Sequence, residues 1–142
     1  MEFNICPLCG KEYSEHPAMS RTLPDPEEAI CPQCELLQAV NQMAIAKAPT
    51  YCTRTIDSWV KANDSKRGFI CACLWQHITL DWGDVDDYDK QENNKALVSG
   101  GRILSAYNIP TELQQGAGSN SKIWILTEAN QSATTVLFPD EY

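Results

Sequence analysis

CPQCELLQAVNQMAIAK, residues 31–47, joins a Cys-x-x-Cys pair directly to a stretch with helical period. Leu36, Val40, Met43 and Lys47 fall near one line with Leu37 and Ala44 beside it, so the spacing predicts an amphipathic helix over 35–47 that Pro49 stops. Upstream, CPLCG at 6–10 is a second such pair. Four thiolates from Cys6, Cys9, Cys31 and Cys34 can surround one zinc ion tetrahedrally, each sulfur about 2.3 Å from the metal. In a knuckle of this kind the chain turns sharply and aims its own amides at the sulfurs. Pro7 presets that turn, and Gly10 can adopt the positive φ that follows it. The second pair opens the helix, which puts its sulfurs at the positive end of the helix dipole.

A knuckle and a helix start that supply two ligands each resemble a treble-clef or zinc-ribbon-like finger, although the 21 residues between the pairs exceed the common spacings. With all four positions filled there is no open site for water or substrate, so the expected role of the metal is structural. Two other readings compete. One is a redox Cys-x-x-Cys, which needs a strand-to-helix turn within a βαβ unit that the pattern does not show; the other is reduced cysteines that merely pack. His16, in the loop between the pairs, is a substitute candidate for one thiolate. PDPEE at 24–28 reads as an exposed turn.

Composition narrows the function classes. Seven cysteines sit in a chain whose start, MEFNICPLCG, lacks the basic and apolar regions of an export signal, and closely paired cysteines in the reducing cytosol are more often metal ligands than disulfides. No apolar run approaches the roughly 20 residues that span a bilayer, so the expected location is cytoplasmic. With 19 acidic and 11 basic residues the net charge is −8, which disfavours the phosphate backbone and favours basic partners. Only Lys11 and Arg21 are basic before Cys34, a poor footprint for a finger that contacts DNA.

At 142 residues the expected organisation is a zinc-finger module with its helix, 1–47, followed by an α+β core, 48–142. A short helix is expected at 55–63, capped by Thr55 or Asp57, with Ile56, Trp59 and Val60 apolar. GFICACLW at 68–75, after a polar loop at 63–67, reads as a buried strand or a tight turn feeding one. A further helix should start near Asp84 or Asp86 and leave through Gly100-Gly101. RILSAYNI at 102–109, KIWILTEA at 122–129 and ATTVLF at 133–138 alternate and are β-branched or aromatic, which predicts a three-stranded antiparallel meander. The connection at 110–121 is a Gly/Ser-rich loop, and NQS at 130–132 a tighter turn.

Cys52, Cys71, Cys73 and His77 form a second set of soft ligands if Cys71 and Cys73 lie on a strand, which would throw both sulfurs to one face; core packing carries more weight. Asp81, Asp84, Asp86, Asp87, Asp89 and Glu92 crowd into twelve residues beside His77. They fail the calcium-loop pattern, since Asp89 stands where Gly is required and Lys95 where Glu is required. Stabilising the N-terminus of the following helix is the plainer reading of these acids. A second is an acidic face, Asp84, Asp86, Asp87, Asp89 and Glu92, that imitates nucleic-acid phosphates and fills a partner's basic groove. A third is a small metal-dependent hydrolase or nuclease centred on His77, Asp81 and Asp84 with Glu128 nearby, which no catalytic motif supports.

The segments HITLDWGDVD, ENNKALVSGGRILSAY and KIWILTEANQSATTVLFPDEY make residues 75–142 resemble a family of small proteins of bacterial plasmids and integrative elements, labelled only as plasmid-related proteins. The family has Gly before Asp-Trp-Gly and Asp-Arg after Thr-Glu-Ala. Here those positions are Leu80, Asn130 and Gln131, so any role resting on that Asp-Arg is absent from this chain. The resemblance implies a mobile element's small accessory protein and no particular chemistry. Together these features favour a non-enzymatic zinc-binding protein acting through protein–protein contact, with a nucleic-acid-binding host defence complex, of CRISPR or restriction type, as the expected partner.

Overall fold

The computed structural model describes residues 4–14, 18–19 and 29–142. Strands β1 (Asn4–Ile5) and β2 (Glu12–Tyr13) pair antiparallel around the first cysteine pair, and β3 (Ala18–Met19) pairs with β4 (Ala29–Ile30) just before the second. Helix α1 (Pro32–Lys47) follows, then β5 (Thr50–Cys52), α2 (Arg54–Lys61), α3 (Asp64–Ile78), α4 (Asp87–Ser99), β6 (Ile103–Asn108), β7 (Lys122–Thr127) and β8 (Thr134–Leu137). The chain is α+β as expected. The turn expected at 24–28 lies outside the described residues.

Sequence and structure part company at three places. GFICACLW is helical, inside α3, and neither a strand nor a turn. Its inward positions are Lys66, Ile70, Cys73 and His77, so the buried face begins and ends on polar residues and hides its helical period from an apolar count. The expected loop at 63–67 is the start of the same helix, with the Asn63 side chain capping the Ser65 amide at 2.7 Å.

The sheet has four mixed strands in the order β5-β8-β7-β6, which corrects the expected three-stranded meander. β6, β7 and β8 are the antiparallel meander. β5 joins β8 in parallel, with Thr50 opposite Thr134 and Cys52 opposite Val136. TYC gives no strand signal because its residues are all exposed and show no alternation. Backbone bonds extend the pairing at both ends, from the Thr134 amide to the Pro49 carbonyl at 2.8 Å and from Thr53 to Val136 at 3.1 Å.

α1 is the helix expected from 35–47, but it presents the opposite face. Leu36, Val40 and Met43 are exposed, while Cys34, Gln38 and Ile45 are buried. The physical reason lies at the ends of its neighbours. The last carbonyls of a helix have no partner within that helix. The Asn41 side chain donates to the carbonyls of Leu97 and Val98 near the end of α4, and Gln42 donates to that of Ile78 at the end of α3. Amides are thus more useful on the inner face than another row of methyl groups.

Two apolar clusters hold the rest. Ile56, Trp59, Ile70, Tyr107, Ile123, Ile125, Val136 and Phe138 fill the space between α2, α3 and the sheet. Ile45, Leu80, Trp82, Leu97 and Ile103 close the space beneath α1 and α4. The β6 edge is covered by side chains and loop. Asn93 receives the Leu104 amide at 3.2 Å and donates to its carbonyl at 2.8 Å, imitating a neighbouring strand. Gly83 then bridges to Ala106, with φ of +72° and no room for a side chain, because a Cβ there would lie 2.1 Å from the Ala106 oxygen.

Candidate metal centre

The first pair sits at the tip of the β1–β2 hairpin. The Gly10 amide donates to the Cys6 carbonyl at 2.8 Å, and Cys6 donates to Lys11 at 3.0 Å, while Gly10 takes φ of +74°. The second pair sits at the start of α1, where Cys31 is the N-cap, Pro32 occupies the first turn, and the Cys34 amide donates to the Cys31 sulfur at 3.4 Å. Hairpin tip and helix start bring the four sulfurs within 4.8 Å of one another. The Cys9 and Cys31 sulfurs are 3.8 Å apart. A tetrahedral ion with bonds of about 2.3 Å sets sulfur–sulfur edges of about 3.8 Å, so the Cys9–Cys31 edge matches a bound metal and the whole donor set lies within reach of one. All seven cysteines are free thiols.

Electrostatics prepares the same site. Burial pushes the Cys6 thiol up, but amides from Cys31, Cys9 and Leu8 aimed at its sulfur prevail and draw it down to about 7. Burial, with the neighbouring thiols adding to it, holds Cys34 well above the usual thiol range, and burial likewise raises Cys31. Four groups that each lose a proton to become negative cannot all do so side by side unless a cation joins them. Cys6, Cys31 and Cys34 are buried and Cys9 is exposed, so the site reaches solvent along one ligand. Tyr13, Ile30, Leu8 and Val98 of α4 pack around the thiols. Val98 ties the finger to the core, a contact that periodicity alone did not single out. His16 and Arg21 lie outside the described residues.

The other expected sets are not assembled. Among the described residues, the four thiols are the group of metal-ligating side chains close enough to share an ion. Cys71 and Cys73 lie on a helix, so one is exposed and the other buried, and the strand geometry that would have aimed both sulfurs together does not occur. His77 is fully buried, with Nδ1 2.6 Å from Ser105 Oγ and Nε2 2.7 Å from Thr127 Oγ1, and Thr127 continues to Thr134 at 2.8 Å. Both ring nitrogens are engaged by hydroxyls. Sequence reasoning missed these partners, whose signal was a hydroxyl at inward-facing positions of otherwise apolar strands.

The acids divide into two groups. Asp81 accepts the Gly83 amide at 3.0 Å and the Gln76 side chain at 2.9 Å, Asp84 accepts the Asn108 amide at 2.9 Å, and Asp86 caps α4 by accepting the Asp89 amide at 2.7 Å. These three hold backbone. Asp87, Asp89 and Glu92 are exposed on α4, where Glu92 meets Lys95 at 3.6 Å. Glu128 is exposed beyond the end of β7. Among the described residues no helix is long and apolar enough to cross a membrane.

Comparison with protein-family models, with curated proteins and with solved structures gives no match for this chain.

Proposed function

We propose that the protein is a zinc-stapled binding protein of a mobile genetic element that acts by contact with a basic partner, a nucleic-acid-binding host defence complex of CRISPR or restriction type. The observation that carries the metal part is the convergence of Cys6, Cys9, Cys31 and Cys34 within 4.8 Å. Tetrathiolate sites favour zinc over hard cations, and a site filled by four protein ligands serves structure rather than catalysis. The hairpin knuckle and helix start support the treble-clef likeness.

The partner reading rests on charge. Asp87, Asp89 and Glu92 project from the first two turns of α4 in a chain of net charge −8. Carboxylates spread around the exposed start of a helix can stand in for phosphates in a basic groove. The resemblance to plasmid-related proteins draws support from Leu80, whose φ of +72° is a conformation that glycine takes most easily, at the position where that family has Gly.

Two experiments test this. Elemental analysis of purified protein should give one zinc per chain, and none after Cys6 and Cys34 are both replaced by Ser. In a strain with an active restriction or CRISPR system, expression of the chain should raise recovery of a targeted plasmid, and D87N/D89N/E92Q should abolish the gain. Equal recovery with and without the wild-type chain would remove the defence reading and leave the metal site standing.

A further inference from the structure

α3 meets the sheet through a buried line of polar groups. His77 of α3, Ser105 of β6, Thr127 of β7 and Thr134 of β8 are each 3% exposed or less. Four contacts run through them. Ser105 Oγ lies 3.5 Å from the Ile125 carbonyl and 2.6 Å from His77 Nδ1, His77 Nε2 lies 2.7 Å from Thr127 Oγ1, and Thr127 Oγ1 lies 2.8 Å from Thr134 Oγ1.

Three hydroxyls and one neutral imidazole carry four hydrogens for these four contacts. A carbonyl only accepts, so the first contact takes the Ser105 hydrogen. Ser105 then accepts from Nδ1, which holds the ring hydrogen. Bare Nε2 accepts from Thr127, and Thr127 accepts from Thr134. Every contact has its hydrogen and none is left over.

The opposite assignment fails at its far end. With the ring hydrogen on Nε2, Thr127 must donate to Thr134, and the Thr134 hydrogen then meets no acceptor among the described residues. Tyr107 does not favour that assignment either. Its hydroxyl gives its hydrogen to the Asp81 carbonyl at 2.8 Å, so toward Ser105 it only accepts, and it too draws the Ser105 hydrogen away from the ring.

We infer that His77 is fixed as the neutral Nδ1–H tautomer by a one-way hydrogen-bond chain, Thr134 to Thr127 to His77 to Ser105, that latches α3 to the three strands of the meander. Which ring nitrogen holds the hydrogen is set by the bonds that the two nitrogens make. Free histidine in water favours the opposite form, so here the fold imposes the choice. Burial supports the neutral ring, since it draws the imidazole down to about 4. The latch also reads strand register. Side chains of a strand alternate between faces, so a one-residue slip of β6 would bring Leu104 or Ala106 to Nδ1 and leave its hydrogen unpaired.

Long-range proton–nitrogen correlation spectra of the metal-loaded full chain at neutral pH read the tautomer directly. The chain has two histidines, so His16→Gln identifies the signals of His77. Nε2 should appear at the pyridine-type nitrogen shift and Nδ1 at the pyrrole-type shift. Reversed shifts overturn the inference, as do two averaged shifts, which mean a ring that exchanges between tautomers. Thr134→Val, checked for an unchanged fold by its amide spectrum, removes only the first donor of the chain and should leave the His77 pattern as it was. A ring hydrogen moved to Nε2 in that variant would show that Ser105 donates to the ring, against the count of hydrogens on which the inference rests.

Discussion

The finger and the sheet are held together by different physics. Among the described residues of the finger, those that are buried are Cys6, Tyr13, Ile30, Cys31 and Cys34, three of them metal-ligand candidates. Around the sheet, Ile56, Ile123, Ile125, Val136 and Phe138 are each fully buried, and the interior is hydrocarbon. A segment with so little apolar surface cannot offset the conformational entropy lost on ordering, of order 1–2 kcal/mol per residue, by burial alone. A bound metal can supply the difference. The sheet needs no such staple.

That contrast is broken or sharpened most strongly by removing the metal. Binding of zinc to a structural site is worth on the order of 10–16 kcal/mol. Chelation, or Cys34→Ser, should therefore erase amide protection at residues 4–14 and 29–34 while β6, β7 and β8 keep theirs, as read by hydrogen exchange. If the sheet lost protection at the same chelator concentration, the finger and sheet would be one cooperative unit and the contrast would be wrong.

The converse substitution belongs in the sheet. Phe138 is fully buried, with its ring 5.6 Å from that of Trp59. Phe138→Ala should cost about 3–5 kcal/mol of unfolding free energy, by denaturant titration. Zinc content per folded chain should stay unchanged, since no ligand lies near the cavity.

A smaller effect comes from the buried imidazole of His77. Burial draws His77 down to about 4, below the free value near 6.5. As pH falls below 6.5 the unfolded chain takes up a proton that the folded chain refuses, so stability is full above that pH and declines toward pH 4. The loss over that window is about 3 kcal/mol, from about 1.4 kcal/mol for each pH unit. His77→Asn should be less stable at neutral pH, because Ser105 and Thr127 lose a partner, and should lack this part of the acid limb. A variant with the wild-type pH slope would assign the acid sensitivity elsewhere.

These regions also differed in how far the sequence revealed them. The metal ligands were legible because a Cys-x-x-Cys pair is a local pattern and chemistry alone says why two pairs should meet. α4 was legible from its acids and from Gly100, which takes φ of +81° at its exit. α1 and α3 obscured themselves in the same way. Their inner faces carry Gln38 and Asn41 on one and Lys66 and His77 on the other, polar residues whose justification is a partner distant in sequence. Lys66 lies against the Trp59 ring at 5.2 Å and donates to the Gln115 carbonyl at 2.7 Å, a geometry that exists only once the loop at 110–121 has closed over it. β5 was hidden because its pairing is parallel, three residues long and wholly exposed. An apolar count finds faces that exclude water, and misses faces that satisfy helix ends or hold a buried ring.

The smallest effect separates the two readings of the acidic segment. Asp86 accepts the Asp89 amide as the N-cap of α4, whereas Asp87 is exposed in the first turn. Asp86→Ala removes a cap and should cost about 1 kcal/mol. Asp87→Asn removes only a charge near the dipole and should shift stability by less than about 0.5 kcal/mol. In the plasmid-recovery assay the order should reverse, because a phosphate mimic acts through outward charge, and Asp87 has it to offer while the Asp86 carboxylate is engaged with backbone. Equal loss of stability in the two variants would mean that Asp87 also holds the helix start. Equal loss of recovery, with α4 still formed in Asp86→Ala, would mean that the partner reads the whole segment as a field of charge and discriminates no single residue.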